Sequence, residues 1–253
     1  MPKSHEHTGN EADFLTHYHK HEKDTYAKPS VTVDSVIFRY IDGRVQTLLI
    51  KRKNHPFQDK YALSGGFVNE QEDLNDAVCR EVFEETSINL NPHNIEQLIT
   101  LGTPYRDPRL WVITVAYLCF MPYHDNSQAK ASDDASSTHW IDIAMIDGQL
   151  TLTDGEKLLI KDDLAFDHWD ILLTAMERIK GRLDYYPTIL QIMPNENTLT
   201  SYRKLFGTFN QDYLKMDSTN FLRRFKHLFQ KTGHQVATRT KKAATYTYDI
   251  RPL

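Results

Sequence analysis

The 253-residue chain predicts a layered α/β domain followed by a small unit of two helices and a hairpin. Three observations carry this. β-rich runs stand before and after one strongly amphipathic helix, which argues for a sheet with helices packed on it. From Phe221 to Leu253 there are eight Lys or Arg against a single acid, so this tail is +7 while the preceding 220 residues carry −11. Such a split marks two parts with different partners. A composition of 40% hydrophobic and 25% charged residues fits a soluble globular chain with enough core for one large domain or two small ones.

Residues 1–29 are polar and hold His5, His7, His17, His19 and His21. Phe14, Tyr18 and Tyr26 suggest a short helix laid on the body of the domain. His17 and His21 could share a helix face and bind metal, but solvated histidines are the commoner case and a metal claim needs geometry. Val31 to Tyr40 and Gln46 to Arg52 read as strands joined by an Asp42-Gly43 turn. Tyr61 to Val68 is a short strand or loop, and residues 73–86 read as a helix. Ile95 to Thr103 and Leu110 to Phe120 are strands, the second rich in Val, Ile, Thr and Tyr. Thr138 to Ile141 is a further short strand.

Asp167 to Leu183 reads as a helix with Ile171, Leu172, Ala175 and Ile179 on its apolar face, ended by Pro187. Thr200 to Phe206 is a second helix. A third is expected from Ser218, its cap, through Lys231, with Gly233 as its stop. Phe221, Leu222, Phe225, Leu228 and Phe229 form its core face. Gln235 to Thr240 and Ala244 to Ile250 then make a hairpin with Lys241 and Lys242 in the turn. Helix, helix and basic hairpin is the plan of a winged helix-turn-helix. In that plan Arg223 and Arg224 enter a DNA major groove, and Lys241 and Lys242 reach phosphates from the wing. A basic solvated helix that only packs on the first domain is the plainer alternative.

The longest apolar run, Val112 to Met121, is too short to span a bilayer. The N-terminal residues contain no apolar signal core, and Cys79 with Cys119 make no disulfide framework. A cytoplasmic protein with no membrane partner is expected.

The chemistry concentrates between Gly65 and Ile88, in GGFVNEQEDLNDAVCREVFEETSI. Leu74, Val78 and Val82 step at four-residue spacing and give the helix an apolar stripe. Glu81, Glu84 and Glu85 share a face beside it, and three like charges there would repel unless a cation intervenes. Mg²⁺ takes oxygen ligands, usually one or two carboxylates plus water and substrate phosphate. Arg80 stands four residues before Glu84 and can hold a carboxylate in place. Gly65 and Gly66 permit a tight turn and a close backbone approach, and a carbonyl there could add a metal ligand. A solvated acidic helix face is the ordinary reading of a lone pair of glutamates; the full spacing argues against it.

The segment resembles the Nudix box, G-x5-E-x7-R-E-U-x-E-E-x-G-U, at every specified position but one: Ser87 replaces the last glycine. Ser64 also stands where the family often has proline. Neither change removes a carboxylate; the first falls at the helix C-terminus, where a left-handed residue is common. The resemblance implies an α/β/α sandwich around a mixed sheet over residues 30–163. It would be preceded by a polar segment (1–29) and followed by a connecting helix (164–187) and a winged helix-like domain (188–253). The whole chain is similar to Nudix proteins with a C-terminal winged helix. Some of these are transcriptional regulators of NAD metabolism and others ADP-ribose pyrophosphatases. The similarity rests on KPSVTVD at 28–34, YRDPR at 105–109, LAFDH at 164–168, and Asn220-Phe221 followed by Arg223-Arg224.

What the resemblance implies is hydrolysis, with Mg²⁺ or Mn²⁺, of ADP-ribose or a related nucleotide-sugar. Glu81 and Glu85 would be the principal metal ligands, with Glu84 and the Gly66 carbonyl completing the site. Arg106 and Arg109 are candidates to grip phosphate or ribose, or to be structural ion-pair partners. Pro104, sixteen residues beyond Ile88, agrees with ADP-ribose. The general base is left open among the box glutamates, Asp133 and Asp134. A DNA-binding regulator that senses the nucleotide-sugar is the second reading, and a homodimer is expected for either.

Overall fold

The computed structural model describes residues 10–21, 27–123, 135–237 and 242–250. A first helix, α1 (Glu11–His21), precedes the sheet and leaves Phe14 and Leu15 exposed. His5, His7 and Tyr26, and the side chain of His21, lie outside the described residues. β1 (Ser30–Ile41) and β2 (Arg44–Arg52) form a hairpin across Asp42 and Gly43, whose positive φ angles of 49° and 79° suit a two-residue turn. The short β3 (Tyr61–Ala62) pairs with β2, and β4 (Ser64–Phe67) pairs with β1. The motif helix α2 (Leu74–Thr86) follows, then β5 (Ile95–Leu101) and β6 (Val112–Phe120).

The next strand, β7 (Ala135–Ile146), is far longer than expected, and β8 (Gln149–Asp154) and β9 (Lys157–Leu159) were not anticipated. The sheet runs β5-β6-β1-β2-β7-β8-β9 with β3 and β4 attached, and β1 pairs parallel only with β6, so the sheet is mixed. Asp147 and Gly148, with φ of 49° and 77°, make the β7–β8 turn. This is the same Asp-Gly turn signal that joins β1 to β2.

Strand alternation sends side chains to both faces of this sheet. Val33 and Ile37 of β1 pack with Ala77, Val78 and Val82 of α2. Val36 and Phe38 face the other way, into the larger cluster. There they meet Ile171, Leu172, Ala175 and Ile179 of α3 (His168–Arg182). The layers are therefore helix, sheet, helix.

After α3 come β10 (Glu196–Thr198), α4 (Leu199–Phe209), the one-turn α5 (Asp212–Lys215), α6 (Ser218–Arg224), β11 (Phe229–Ala237) and β12 (Lys242–Tyr248). β10, β12 and β11 form a second, three-stranded sheet in that order. Two expectations need correction. The cap of α6 is Asp217, whose carboxylate accepts from the Asn220 N–H, and not Ser218. The helix also stops at Arg224 instead of reaching Lys231. Phe229 is already paired with Tyr248, so the backbone beyond is satisfied by the sheet, and Gly233 sits in a bulge between Lys231 and Gln235. The apolar spacing was nonetheless informative: Phe221, Phe225, Leu228 and Phe229 are all buried.

The C-terminal elements share the core of the first sheet. Tyr202, Leu205, Phe206 and Phe209 of α4 belong to the same apolar cluster as Phe38 and Phe120, and the Phe38 and Phe209 rings meet edge to face at 6.3 Å. Among the described residues, no helix is long and apolar enough to cross a membrane.

Candidate functional site

A cleft of about 390 Å³ opens where β1, β2, β4 and α2 converge. Its lining includes Gly65, Gly66, Arg80, Glu81, Glu84, Glu85, Arg106 and Arg109, so one cavity gathers the predicted catalytic and substrate-binding residues. α2 starts on the Asp73 carboxylate, which accepts from the Asn75 N–H. It ends at Ser87 in a left-handed conformation (φ 59°) whose N–H donates to the Phe83 carbonyl. The helix thus terminates as a glycine would make it, with serine in that position.

Gly65 is sterically required, whereas a side chain on Gly66 would meet only the movable end of Glu81. A Cβ on Gly65 would lie 2.0 Å from the Val33 carbonyl oxygen, and one on Gly66 would lie 2.4 Å from the Glu81 carboxylate. The Gly66 backbone therefore abuts Glu81 directly.

Arg80 organises the carboxylates. It takes Glu72 in a two-pronged pair at 2.6 and 2.8 Å, and its Nη1 donates to Glu81 at 2.8 Å and Glu84 at 3.0 Å. This clasp lowers the Glu72 pKa to about 2. Burial pushes the Glu81 carboxyl above its ordinary value, against the opposing pull of Arg80. Glu85 is 8% exposed and accepts from the Gly65 N–H at 3.0 Å. Among the described residues, no three acidic, histidine or cysteine side chains converge as a ready-made metal cage.

Another part of the lining is built around Asp34, a buried carboxylate that sequence reasoning missed as a site residue. Thr114 Oγ1 donates to it at 2.6 Å, and Arg106 Nη2 and His168 Nε2 each lie 3.5 Å away. The Leu63 N–H donates to His168 Nδ1 at 2.9 Å, which places the imidazole proton on Nε2, facing Asp34. Burial pushes the His168 pKa below its ordinary value. The available signal was a lone aspartate inside the apolar run SVTVDSVIF, since such residues are almost never buried without partners. Arg52, Phe166 and His168 also line the cleft; the last two lie in the LAFDH stretch, which the sequence marks as a point of resemblance but does not assign to the site.

The arginines chosen for substrate are already engaged. Arg106 is nearly buried and forks onto Asp167 at 2.6 and 2.9 Å. Arg109 pairs with Asp107 at 2.8 and 3.0 Å and lies over the Phe67 ring. Asp133 and Asp134 fall outside the described residues.

On α6, Arg223 and Arg224 are both exposed. Arg224 forks onto Asp184 at 2.6 and 2.9 Å, whereas Arg223 donates within its own turn, to Asn220 Oδ1 at 2.6 Å. Lys242 is exposed at the start of β12; Lys241 lies outside the described residues.

Residues 28–162 match the NUDIX domain family, more than half of the chain, and the chain belongs to that family. The "ADPR responsive transcriptional repressor NtrR" of Acinetobacter baylyi is 34% identical over 198 residues, 78% of this chain and 71% of that protein. The "ADP-ribose pyrophosphatase" of Methanocaldococcus jannaschii is 39% identical over 156 residues, 62% of this chain and 78% of that one. Among solved structures, a MutT/nudix family protein from Enterococcus faecalis superposes with a TM-score of 0.81 at 36% identity, covering 95% of this chain and 94% of the other. Shewanella oneidensis NrtR, crystallised with a 27mer DNA, gives 0.65 at 28% identity over 87% and 93%. The mixed α/β fold is thus that of the Nudix family, and the similarity to the Enterococcus faecalis protein and to NrtR extends into the C-terminal part of the chain.

Proposed function

We propose that the chain is a Mg²⁺- or Mn²⁺-dependent Nudix hydrolase that cleaves the pyrophosphate of ADP-ribose, or a close nucleotide-sugar, to AMP and a sugar phosphate. The observation that carries this is the intact set of Glu81, Glu84 and Glu85, with the Gly66 backbone against Glu81, in one cleft. An all-oxygen set suits a hard cation, and Mg²⁺ commonly uses one or two carboxylates with substrate phosphate completing its shell, so a full cage is not required. Glu81, Glu84 and Glu85, with the Gly66 carbonyl, would hold the ion. It would neutralise the diphosphate and lower the pKa of attacking water.

The chain's own residues do the rest. Arg80 aims Glu81 and Glu84, the carboxylates that would hold the cation. Glu85 is fixed by the Gly65 N–H. Arg106 is held rigid by Asp167 and Asp34, and Arg109, half-exposed, is the guanidinium better placed to turn toward phosphate. A box glutamate takes the proton from water in this reading.

A substrate panel with Mg²⁺ tests the proposal, with ADP-ribose, NADH, diadenosine polyphosphates and nucleoside triphosphates. ADP-ribose is expected to give the highest kcat/KM, and Glu85→Gln to lower turnover by about two or more orders of magnitude without unfolding the protein. Preference for a triphosphate overturns the substrate; full activity of Glu85→Gln overturns the metal site. A second reading is favoured by one observation: a separate three-stranded sheet, β10-β12-β11, accompanies α4 and α6 in the basic C-terminal part of the chain. On it the protein is a DNA-binding regulator that senses the nucleotide-sugar, and as in some oligomeric regulators it would act as a homodimer. Tight ADP-ribose binding without hydrolysis selects that reading.

A further inference from the structure

We propose that Phe166, braced by Phe57 and Arg52, is the platform on which the base of the nucleotide stacks. The assignment rests on the nucleotide reading of the cleft.

Phe166 and Phe57 touch, their ring centroids 4.7 Å apart and steeply inclined. Both have left-handed backbones, with φ of 51° and 61°. Bulky side chains rarely adopt that conformation, and it persists where surrounding structure enforces it, often at ligand sites. The enforcement is visible. The Ala165 N–H donates to the Tyr61 carbonyl at 2.7 Å, which pins the backbone just before Phe166. The Arg52 Nε donates to the Pro56 carbonyl at 2.8 Å, which pins the backbone just before Phe57. The same guanidinium then lies 5.0 Å from the centre of the Phe166 ring.

Two strained aromatics held this firmly are not explained by core packing. The buried cluster beneath Phe166 is only Ile50, Ala62 and Ala165, and Phe57 remains 37% exposed. Phe166 and Arg52 line the cleft that holds the box carboxylates. Half of that lining is charged and suits a diphosphate with its cation. An aromatic face there is suited to a flat heterocycle, since every base offers a π-face to an aromatic side chain. Phe67 is the other phenyl ring in the lining, but its carbonyl is held by Arg80 and its neighbour is Gly66, so it borders the reacting phosphates. A base joined to the diphosphate through ribose must lie farther off.

The test separates the two halves of ADP-ribose. Full-length protein is titrated calorimetrically with ADP-ribose, AMP and ribose 5-phosphate, as wild type, Phe166→Leu, Phe166→Tyr, Phe57→Leu and Phe67→Leu. Phe166→Leu is expected to weaken AMP and ADP-ribose by about 10-fold or more and to leave ribose 5-phosphate unchanged, while Phe166→Tyr keeps wild-type affinity. Phe57→Leu shows the same selective loss, and carries the test alone if Phe166→Leu does not fold. Unchanged AMP affinity, an equal loss of both halves, or a selective AMP loss in Phe67→Leu instead overturns the platform while leaving the nucleotide reading intact. Failure of the wild type to bind ADP-ribose overturns both.

Discussion

Asp34 sits mid-strand between Val33 and Ser35 and is 7% exposed. A carboxylate there is tolerated because Thr114, Arg106 and His168 surround it. His168 is the titratable member with a consequence for stability. Asp34 and Asp167 favour its protonation, and Arg106, Arg52 and above all burial oppose it, so its folded pKa lies below its ordinary value. As pH falls below about 6.5, the unfolded chain takes up a proton that the folded chain still refuses. The contribution is fully present above that pH and is lost through the window beneath it. Wild-type Tm should therefore fall more steeply than that of His168→Gln between neutral pH and the onset of carboxylate titration. The variant keeps an acceptor for the Leu63 N–H and cannot titrate. Parallel Tm profiles from differential scanning calorimetry would show that His168 is not the group responsible.

At the scale of elements, α2 shows how local rules build the site. Asp73 opens it, the Ala77, Val78 and Val82 stripe docks it, and left-handed Ser87 closes it. Serine in that conformation is strained where glycine is not, and Ser87 is exposed with no packing to lose. Ser87→Gly should raise stability by roughly 0.5–1 kcal/mol, read as a higher urea midpoint at constant slope, with unchanged activity. A lower midpoint would mean that the serine side chain stabilises the helix end. This helix and its carboxylates were legible because capping, spacing and apolar stripe all lie within a few residues. The cleft residues contributed from far along the chain were not. Asp34, Arg52, Phe166 and His168 come together only through strand pairing and the bridge between Tyr61 and Leu164. The overlong third helix has a different cause: Phe221, Phe225 and Leu228 keep helical spacing, yet Phe229 is claimed by pairing with β12. Long-range pairing overrode a local period.

At the scale of the molecule, charge and packing divide the chain differently. The basic tail from Phe221 onward and the acidic remainder suggest two partners, and the DNA reading assigns duplex DNA to the first. Binding should weaken steeply as salt rises, because each phosphate contact releases counterions. Lys242→Ala should weaken all sequences alike, and Arg223→Ala should matter more than Arg224→Ala, since Arg224 is held by Asp184. If ADP-ribose changes DNA affinity, DNA must change ADP-ribose affinity by the same factor. Fluorescence anisotropy against the DNA upstream of the protein's own gene decides this. A folded protein that binds no duplex at low salt leaves the basic tail a packing module.

One strand joins the cleft to the C-terminal unit. Asp34 of β1 lines the cleft, and four residues further on Phe38, on the same face, meets Phe209 of α4. The C-terminal unit is thus not an appendage on a tether; its inner surface is a wall of the Nudix sheet. Exchanging that unit between relatives would transplant half of an interlocking joint. Chimaeras should fold only when the partners of Phe38 and Phe120 travel with it, so whatever the C-terminal unit binds is expected to be retuned by substitution on its outer face and not by exchange of the whole unit.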